Sequence, residues 1–240
     1  MIDYLAIGYE NETLMTQAKQ LAAQLNLPID NSAADQLLLT SDKLVLKLES
    51  FSPLYADFSC QTWQKRRDAG KKQGLVRACK PGHGLRIIDA TAGWGRDAAV
   101  LASCGAEVLM LERNPVMAAL LADALQRQDQ HAQKMLDIKL CNTDALSYLQ
   151  TLQPDDYPDL IYIDPMHPQR QKSALVKKDM QALQQLINRD DSALTLLELA
   201  KNRTKKRVVV KWPQHLKPLL KPTSSMAGKT VRFDIYTKAC

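Results

Sequence analysis

The chain has 240 residues, 45% of them hydrophobic and 24% charged, with a formal net charge of +6. These values exclude wholesale disorder, and no apolar run approaches the roughly 20 residues that a membrane span needs. Met1-Ile2-Asp3-Tyr4 carries no basic n-region, and the five cysteines (60, 79, 104, 141, 240) form no C-x-x-C pair, so the reading is a cytoplasmic protein with reduced thiols and no metal site.

Tyr4 to Ile7 reads as a short strand, and Thr13 to Leu25 has helical spacing. Leu37-Leu38-Leu39-Thr40, then Ser41-Asp42, then Leu44, Leu46 and Leu48 in alternation predict a hairpin. Trp63 to Cys79 reads as a basic helical segment weakened by Gly70 and Gly74. Pro81-Gly82-His83-Gly84 is loop punctuation and the expected boundary. This divides the chain into a small N-terminal α/β region (1–60), a basic helical linker (61–84) and a larger domain (85–240).

From Leu85 onward, short apolar runs alternate with helical patterns. Strands are expected at 85–89, 107–111, 138–141, 160–163 and 207–210. Helices are expected at 96–103, 115–125, 144–152, 173–188 and 191–201. Residues 231–236 close as a strand, paired near 223–227. Alternation of this kind predicts an α/β, Rossmann-like, mostly parallel sheet with helices on both faces.

The charge is unevenly placed. Residues 61–80 carry seven basic and one acidic side chain, residues 81–169 carry six and twelve, and residues 201–240 carry eleven and one. An acidic centre with basic flanks suggests contact with nucleic acid, weighed evenly against a solvated lysine-rich surface.

Asp89-Ala90-Thr91-Ala92-Gly93-Trp94-Gly95-Arg96-Asp97 joins the first strand of the larger domain to its first helix. A glycine loop there lets backbone N–H groups approach a ligand closely. Glu112, nineteen residues after Gly93 at the end of the next strand, can accept ribose hydroxyl protons. Gly93, Gly95 and Ala98 also fit G-x-G-x-x-A, the dinucleotide pattern. Asp89 at the loop mouth would repel a pyrophosphate, which favours S-adenosylmethionine (SAM) over NAD. Asp89, Glu112, Asp144 and Asp164 all follow successive strands, where one cofactor would meet them. Asp144 and Asp97 also fit the bland role of helix caps.

Asp164-Pro165-Met166-His167-Pro168 resembles the Asp/Asn-Pro-Pro-aromatic motif of class I methyltransferases that act on exocyclic amino groups. Four further blocks agree in order with the loop 89–93: Leu111 to Pro115, Gln171 to Lys178, Arg207 to Lys211 and Arg232 to Tyr236. Together they resemble the bacterial RsmJ family of SAM-dependent 16S ribosomal RNA guanine-N2 methyltransferases over roughly residues 57–237.

The resemblance implies that Arg96 and Asp97 contact SAM beside Gly93 and Gly95. It implies that Glu112 holds the ribose, that Arg113 lies near the adenine, and that Thr143 and Asp144 reach the adenine edge. Asp164 would lie between cofactor and target base. It departs from the family at His167, where an aromatic residue is usual, and imidazole can also stack on a base.

The expected chemistry is positioning. The Asp164 carboxylate and Pro165 carbonyl would hold the amino hydrogens of the base, with His167 beside them. Arg66, Arg67, Lys71, Lys72, Lys172, Lys177, Lys178 and Lys211 would hold RNA phosphates. The expected partner is 16S rRNA or the small ribosomal subunit. Three other readings stand beside this one: a methyltransferase of DNA adenine N6 or protein glutamine, an NAD-dependent oxidoreductase, and a non-catalytic RNA-binding protein.

Overall fold

The computed structural model describes residues 4–49, 51–165 and 192–238. These residues cluster into two compact units. One holds the chain up to Asp57 together with Asn114–Arg127, and the other holds Phe58–Arg113, residues 128–165 and the C-terminal part.

In the first unit, β1 (Ala6–Tyr9) runs parallel to β2 (Gln36–Leu39), which pairs antiparallel with β3 (Leu44–Lys47). The expected hairpin forms because Thr40 closes it: its hydroxyl accepts the amides of Asp42 and Lys43. Helix α1 (Met15–Leu25) ends at Asn26 in the left-handed conformation, a residue type that tolerates it. A later helix, Pro115–Gln126, joins this unit and packs against β3. The Asn114 side chain caps it by accepting from Val116 and Met117, with proline at its first position.

In the second unit, Cys60–Asp68 (α2) and Gly74–Cys79 (α3) replace one continuous basic helix. Gly70, at φ +49°, breaks it with a 3₁₀ turn over Gly70–Lys72. Then follow β4 (Arg86–Asp89), α4 (Arg96–Ser103) and β5 (Glu107–Glu112). Helix α5 is the Pro115–Gln126 helix already described. After it come α6 (Gln130–Met135), β6 (Ile138–Asn142), α7 (Ala145–Thr151) and β7 (Leu160–Ile163). Helix α8 (Ala193–Asn202), β8 (Arg207–Pro213), β9 (Ser224–Ala227) and β10 (Val231–Thr237) complete the unit. The expected helix at 173–188 lies outside the described residues.

The seven strands stand in the order β6-β5-β4-β7-β8-β10-β9, with β10 antiparallel to both its neighbours and the remaining pairs parallel. The strand order reverses between β4 and β7. In open α/β sheets, that reversal opens a crevice at the carboxyl ends of the strands.

Alternation along the strands sorts their residues onto two faces. Ile88, Ile161, Ile163, Val208, Val210 and Trp212 pack with Ala145 and Leu149 of α7 and Leu196, Leu197 and Ala200 of α8. The other parity, which includes Asp89, Tyr162, Val209 and Lys211, faces α4. Helices α2 and α3 pack on α4, and α3 also meets β10 where Gly74 leaves room for the Phe233 ring. Among the described residues, no helix is long and apolar enough to cross a membrane.

Candidate active site

The loop between β4 and α4 is tied down at three points. Ala90 N donates to Tyr162 O, Ala92 N to Leu111 O, and Gly93 N to a carboxylate oxygen of Glu112 at 3.1 Å. Gly93 and Gly95 have φ of +52° and +69°, the left-handed region that glycine enters without steric cost. Gly95 opens α4 with no side-chain cap on its first amides, so backbone donors face the loop rather than a side chain.

The strand ends bring four charged side chains to this loop on one face. Asp89 is 1% exposed and accepts from Thr91 N. Burial pushes its carboxyl up to about 8, against that hydrogen bond. Glu112 is buried at the end of β5. Asp164 follows β7, and its amide donates to the Thr91 hydroxyl at 2.6 Å, which joins the two sides of the crevice. Lys211 comes from β8 and donates to Asp164 Oδ2 at 2.7 Å and to Asp97 Oδ2 at 3.2 Å.

Asp97 is the hub of this cluster. Its Oδ1 takes Arg66 Nη2 at 2.6 Å, and its Oδ2 takes Tyr162 Oη at 2.6 Å as well as Lys211. Burial would raise its carboxyl, but Lys211 and Arg66 more than offset that and hold it below the usual carboxylate range. Burial would lower the Lys211 ammonium, and Asp164 and Asp97 together raise it instead. Burial raises Asp164, and Lys211 pulls the other way. Of the two carboxylates that Lys211 touches, Asp97 is therefore the one held firmly ionised.

Several sequence-predicted residues meet here and several stand elsewhere. Asp89, Gly93, Gly95, Arg96, Asp97, Glu112, Asp164 and Pro165 lie on the loop and the two strand ends beside it. Arg113 follows Glu112. Thr143 N donates to Glu112 O at the end of β6. Asp144 is the N-cap of α7, its carboxylate accepting from Ser147 N. His167, Lys172, Lys177 and Lys178 lie outside the described residues.

Two basic residues expected on an RNA path stand in the interior network. Arg66 pairs with Asp97 and donates to Arg96 O. Lys211 lies within β8 rather than past it. Arg67 pairs with Asp68 and lies over the Trp63 ring. Lys71 and Lys72 occupy the 3₁₀ turn after α2.

The basic C-terminal part divides. Arg203, Lys205, Lys206 and Arg207 precede or open β8, and Lys238 follows β10. That edge is opposite the one that carries Asp164. There Arg203 and Lys238 both lie over the Tyr157 ring, and Lys206 pairs with Asp159.

Sequence reasoning missed Tyr162 and Thr91. The available signal was a single hydroxyl-bearing residue in an otherwise apolar strand, at the parity of Asp164.

A SAM-dependent methyltransferase family model matches residues 20–238. Ribosomal RNA small subunit methyltransferase J from Legionella pneumophila is 60% identical, over 96% of this chain and 95% of its own length. The chain belongs to the ribosomal RNA small subunit methyltransferase J family. The Coxiella burnetii member is 44% identical and covers 98% of each chain. The crystal structure of a SAM-dependent methyltransferase from Neisseria gonorrhoeae aligns with a TM-score of 0.73 at 29% identity, covering 98% of this chain and 95% of that one. The fold is that of a class I SAM-dependent methyltransferase, as the sequence predicts, and this family uses SAM.

The donor set suits the RsmJ cofactor. The amides of Gly93 and Gly95 are given to Glu112 and to the carbonyl of Ala92, which shapes the loop, and the N-terminal end of α4 is turned toward it with no side-chain cap. The Glu112 carboxylate stands where vicinal hydroxyls would meet it. Asp97 is held ionised at the loop mouth, and burial keeps Asp89 protonated at neutral pH, so a preference for a sulfonium over a pyrophosphate does not come from Asp89. Among the described residues, no group of three or more His, Cys, Asp or Glu side chains is placed to hold a metal ion.

Proposed function

We propose that this protein methylates the exocyclic N2 of a specific guanine in 16S rRNA, as a cytoplasmic enzyme acting on the small ribosomal subunit or its RNA. The observation that carries this reading is the placement of Asp164-Pro165 at the end of β7, hydrogen-bonded through the Asp164 amide to Thr91 of the cofactor loop. Family membership supplies the substrate class.

When bound, SAM supplies an electrophilic methyl group on a sulfonium that leaves readily. Guanine N2 is a poor nucleophile because its lone pair is delocalised into the ring. The Asp164 carboxylate and the Pro165 carbonyl would accept its two hydrogens and turn the lone pair out of conjugation. The same carboxylate would stabilise the positive charge that develops on nitrogen. Pro165 restricts Asp164 to an extended backbone, which fixes both acceptors. The base must leave its stack to reach them, and His167 is proposed to lie against it.

Gly93, Gly95, Arg96 and Asp97 would frame the methionine end of SAM. Glu112 would hold the ribose, and Arg113, Thr143 and Asp144 would border the adenine. Arg67, Lys71, Lys72, Lys172, Lys177 and Lys178 would hold phosphates. Mass-spectrometric mapping of 16S rRNA from cells lacking this protein tests the reading. One N2-methylguanine should disappear and return when the purified protein and SAM are added. An unchanged methylation map would refute it.

A further inference from the structure

Lys211 is the one basic residue of the C-terminal part that touches the proposed catalytic carboxylate. Its parity on β8 follows from the pairing of Ile163 with Val210, which sets Lys211 beside Asp164 on the α4 face. Its side chain is 26% exposed. Its ammonium is spent on two carboxylates, at 2.7 Å and 3.2 Å. The loop that follows is pinned as well: Arg232 Nη1 donates to the carbonyls of Pro213, Gln214 and Leu216 while its Nε pairs with Asp234.

We propose that Lys211 is a positioning residue for methyl transfer, holding Asp164 by Oδ2 so that Oδ1 is presented to the amino group of the target base. This rests on the amino-methylation reading above. The contacts make a chain of alternating charge, Arg66–Asp97–Lys211–Asp164, that runs from α2 through α4 and β8 to the end of β7. Asp97, itself held by Tyr162 and Arg66, takes the far side of the ammonium, which restrains Lys211 from following Asp164 if the carboxylate swings. The backbone of Asp164 is fixed independently through Thr91. Together these two holds remove the rotational freedom that would otherwise blur the acceptor geometry.

The charge has a second consequence. The groups that face Asp164 are Lys211 from β8, Asp97 from α4, Arg66 from α2, Asp89 from β4 and Tyr162 from its own strand. Burial and the Asp97 carboxylate favour a protonated Asp164, and a protonated acid is a poor acceptor for an amino hydrogen. The ammonium and the guanidinium oppose this. Lys211 touches Asp164 directly, so its removal leaves the carboxyl with a higher pKa.

The test is Lys211→Met, read by kcat and RNA KM across pH on the full chain. We expect kcat to fall roughly 100-fold, the loss that an ångström-scale misplacement causes. RNA KM should stay near that of the wild type, and the acid limb of the kcat profile should move to higher pH. Lys211→Arg should restore most of kcat. A raised RNA KM with a shallower salt dependence and intact kcat would make Lys211 a phosphate contact and overturn the proposal. So would an equal loss at every pH accompanied by a lower melting temperature.

Carboxyl ¹³C NMR titration of Asp164 in the RNA-free protein gives a second readout. Asp164 should titrate at higher pH in Lys211→Met than in the wild type, and an unchanged titration overturns the proposal. Should the methionine variant not fold, Lys211→Gln must show the same direction. If the wild-type chain fails to methylate rRNA, the substrate reading falls, and the NMR result still decides what Lys211 does to Asp164.

Discussion

Tyr162 Oη donates to Asp97 Oδ2 at 2.6 Å, so the middle of strand β7 is bonded to the first turn of helix α4. Tyr162 is fully buried, and burial, together with the nearby Asp97 charge, pushes its hydroxyl well above its usual range. It therefore stays a neutral donor to an ionised acceptor. Tyr162→Phe keeps the ring and deletes only the donor. A hydrogen bond to a charged group contributes about 1.5–3 kcal/mol, so urea unfolding should show a loss near 2 kcal/mol. An unchanged midpoint would mean that Arg66 and Lys211 satisfy Asp97 without it.

Asp89 predicts an unusual pH dependence. Its folded pKa is about 8 because of burial, against about 3.9 in an unfolded chain. The native state therefore binds the extra proton between those values. The stability from this group is full below about pH 4 and is lost as pH rises through 8. The slope in that window approaches about 1.4 kcal/mol per pH unit. Asp89→Asn removes the titration and keeps an oxygen for Thr91 N. Its unfolding free energy should change less between pH 5 and pH 8.5 than that of the wild type. Parallel profiles for the two proteins would show that Asp89 is ionised at neutral pH.

Much of this architecture was legible because parallel strands read as short apolar runs with glycine and proline between them. Arg96–Ser103 and Leu160–Ile163 match the sequence reading residue for residue. What stayed hidden was parity. Leu160-Ile161-Tyr162-Ile163 is buried on both faces, so hydrophobicity does not say which side chains face α4, and the lone hydroxyl of Tyr162 is the one local mark of its bond to Asp97. For the same reason Lys211 looked like a residue beyond its strand. Helix α6, Gln130–Met135, escaped because Ala132 is its one buried residue, too little for a periodic pattern. The split of the basic helix depended on Gly70 taking φ +49°, which glycine permits but does not require.

Glu112 offers a direct test of the cofactor frame. Its carboxylate accepts Gly93 N at 3.1 Å, which aims it along the loop. Glu112→Gln retains one acceptor for Gly93 and turns the other into a donor that cannot take a ribose hydroxyl proton. Losing one such bond is worth roughly a tenfold weaker affinity. Titration calorimetry with S-adenosylhomocysteine should show that loss, with little change in melting temperature in the absence of cofactor. Equal affinity in the two proteins would move the ribose contact to another residue.

Asp164→Ala separates chemistry from binding. The substitution removes the proposed acceptor and leaves the Asp164 amide free to donate to Thr91, so the loop geometry survives. It also leaves Lys211 with Asp97 as its partner, which limits the cost of an unpaired cation. Methyl transfer to rRNA should fall below detection, since one preorganised acceptor contributes about 10²–10³ in kcat. RNA affinity should stay within a few-fold of the wild type, because phosphate contacts dominate binding and Asp164 makes none. Filter binding and a tritium-transfer assay on the same preparation read both quantities. Retained turnover would remove Asp164 from the mechanism. Lost RNA binding alongside lost turnover would instead place the carboxylate in substrate recognition.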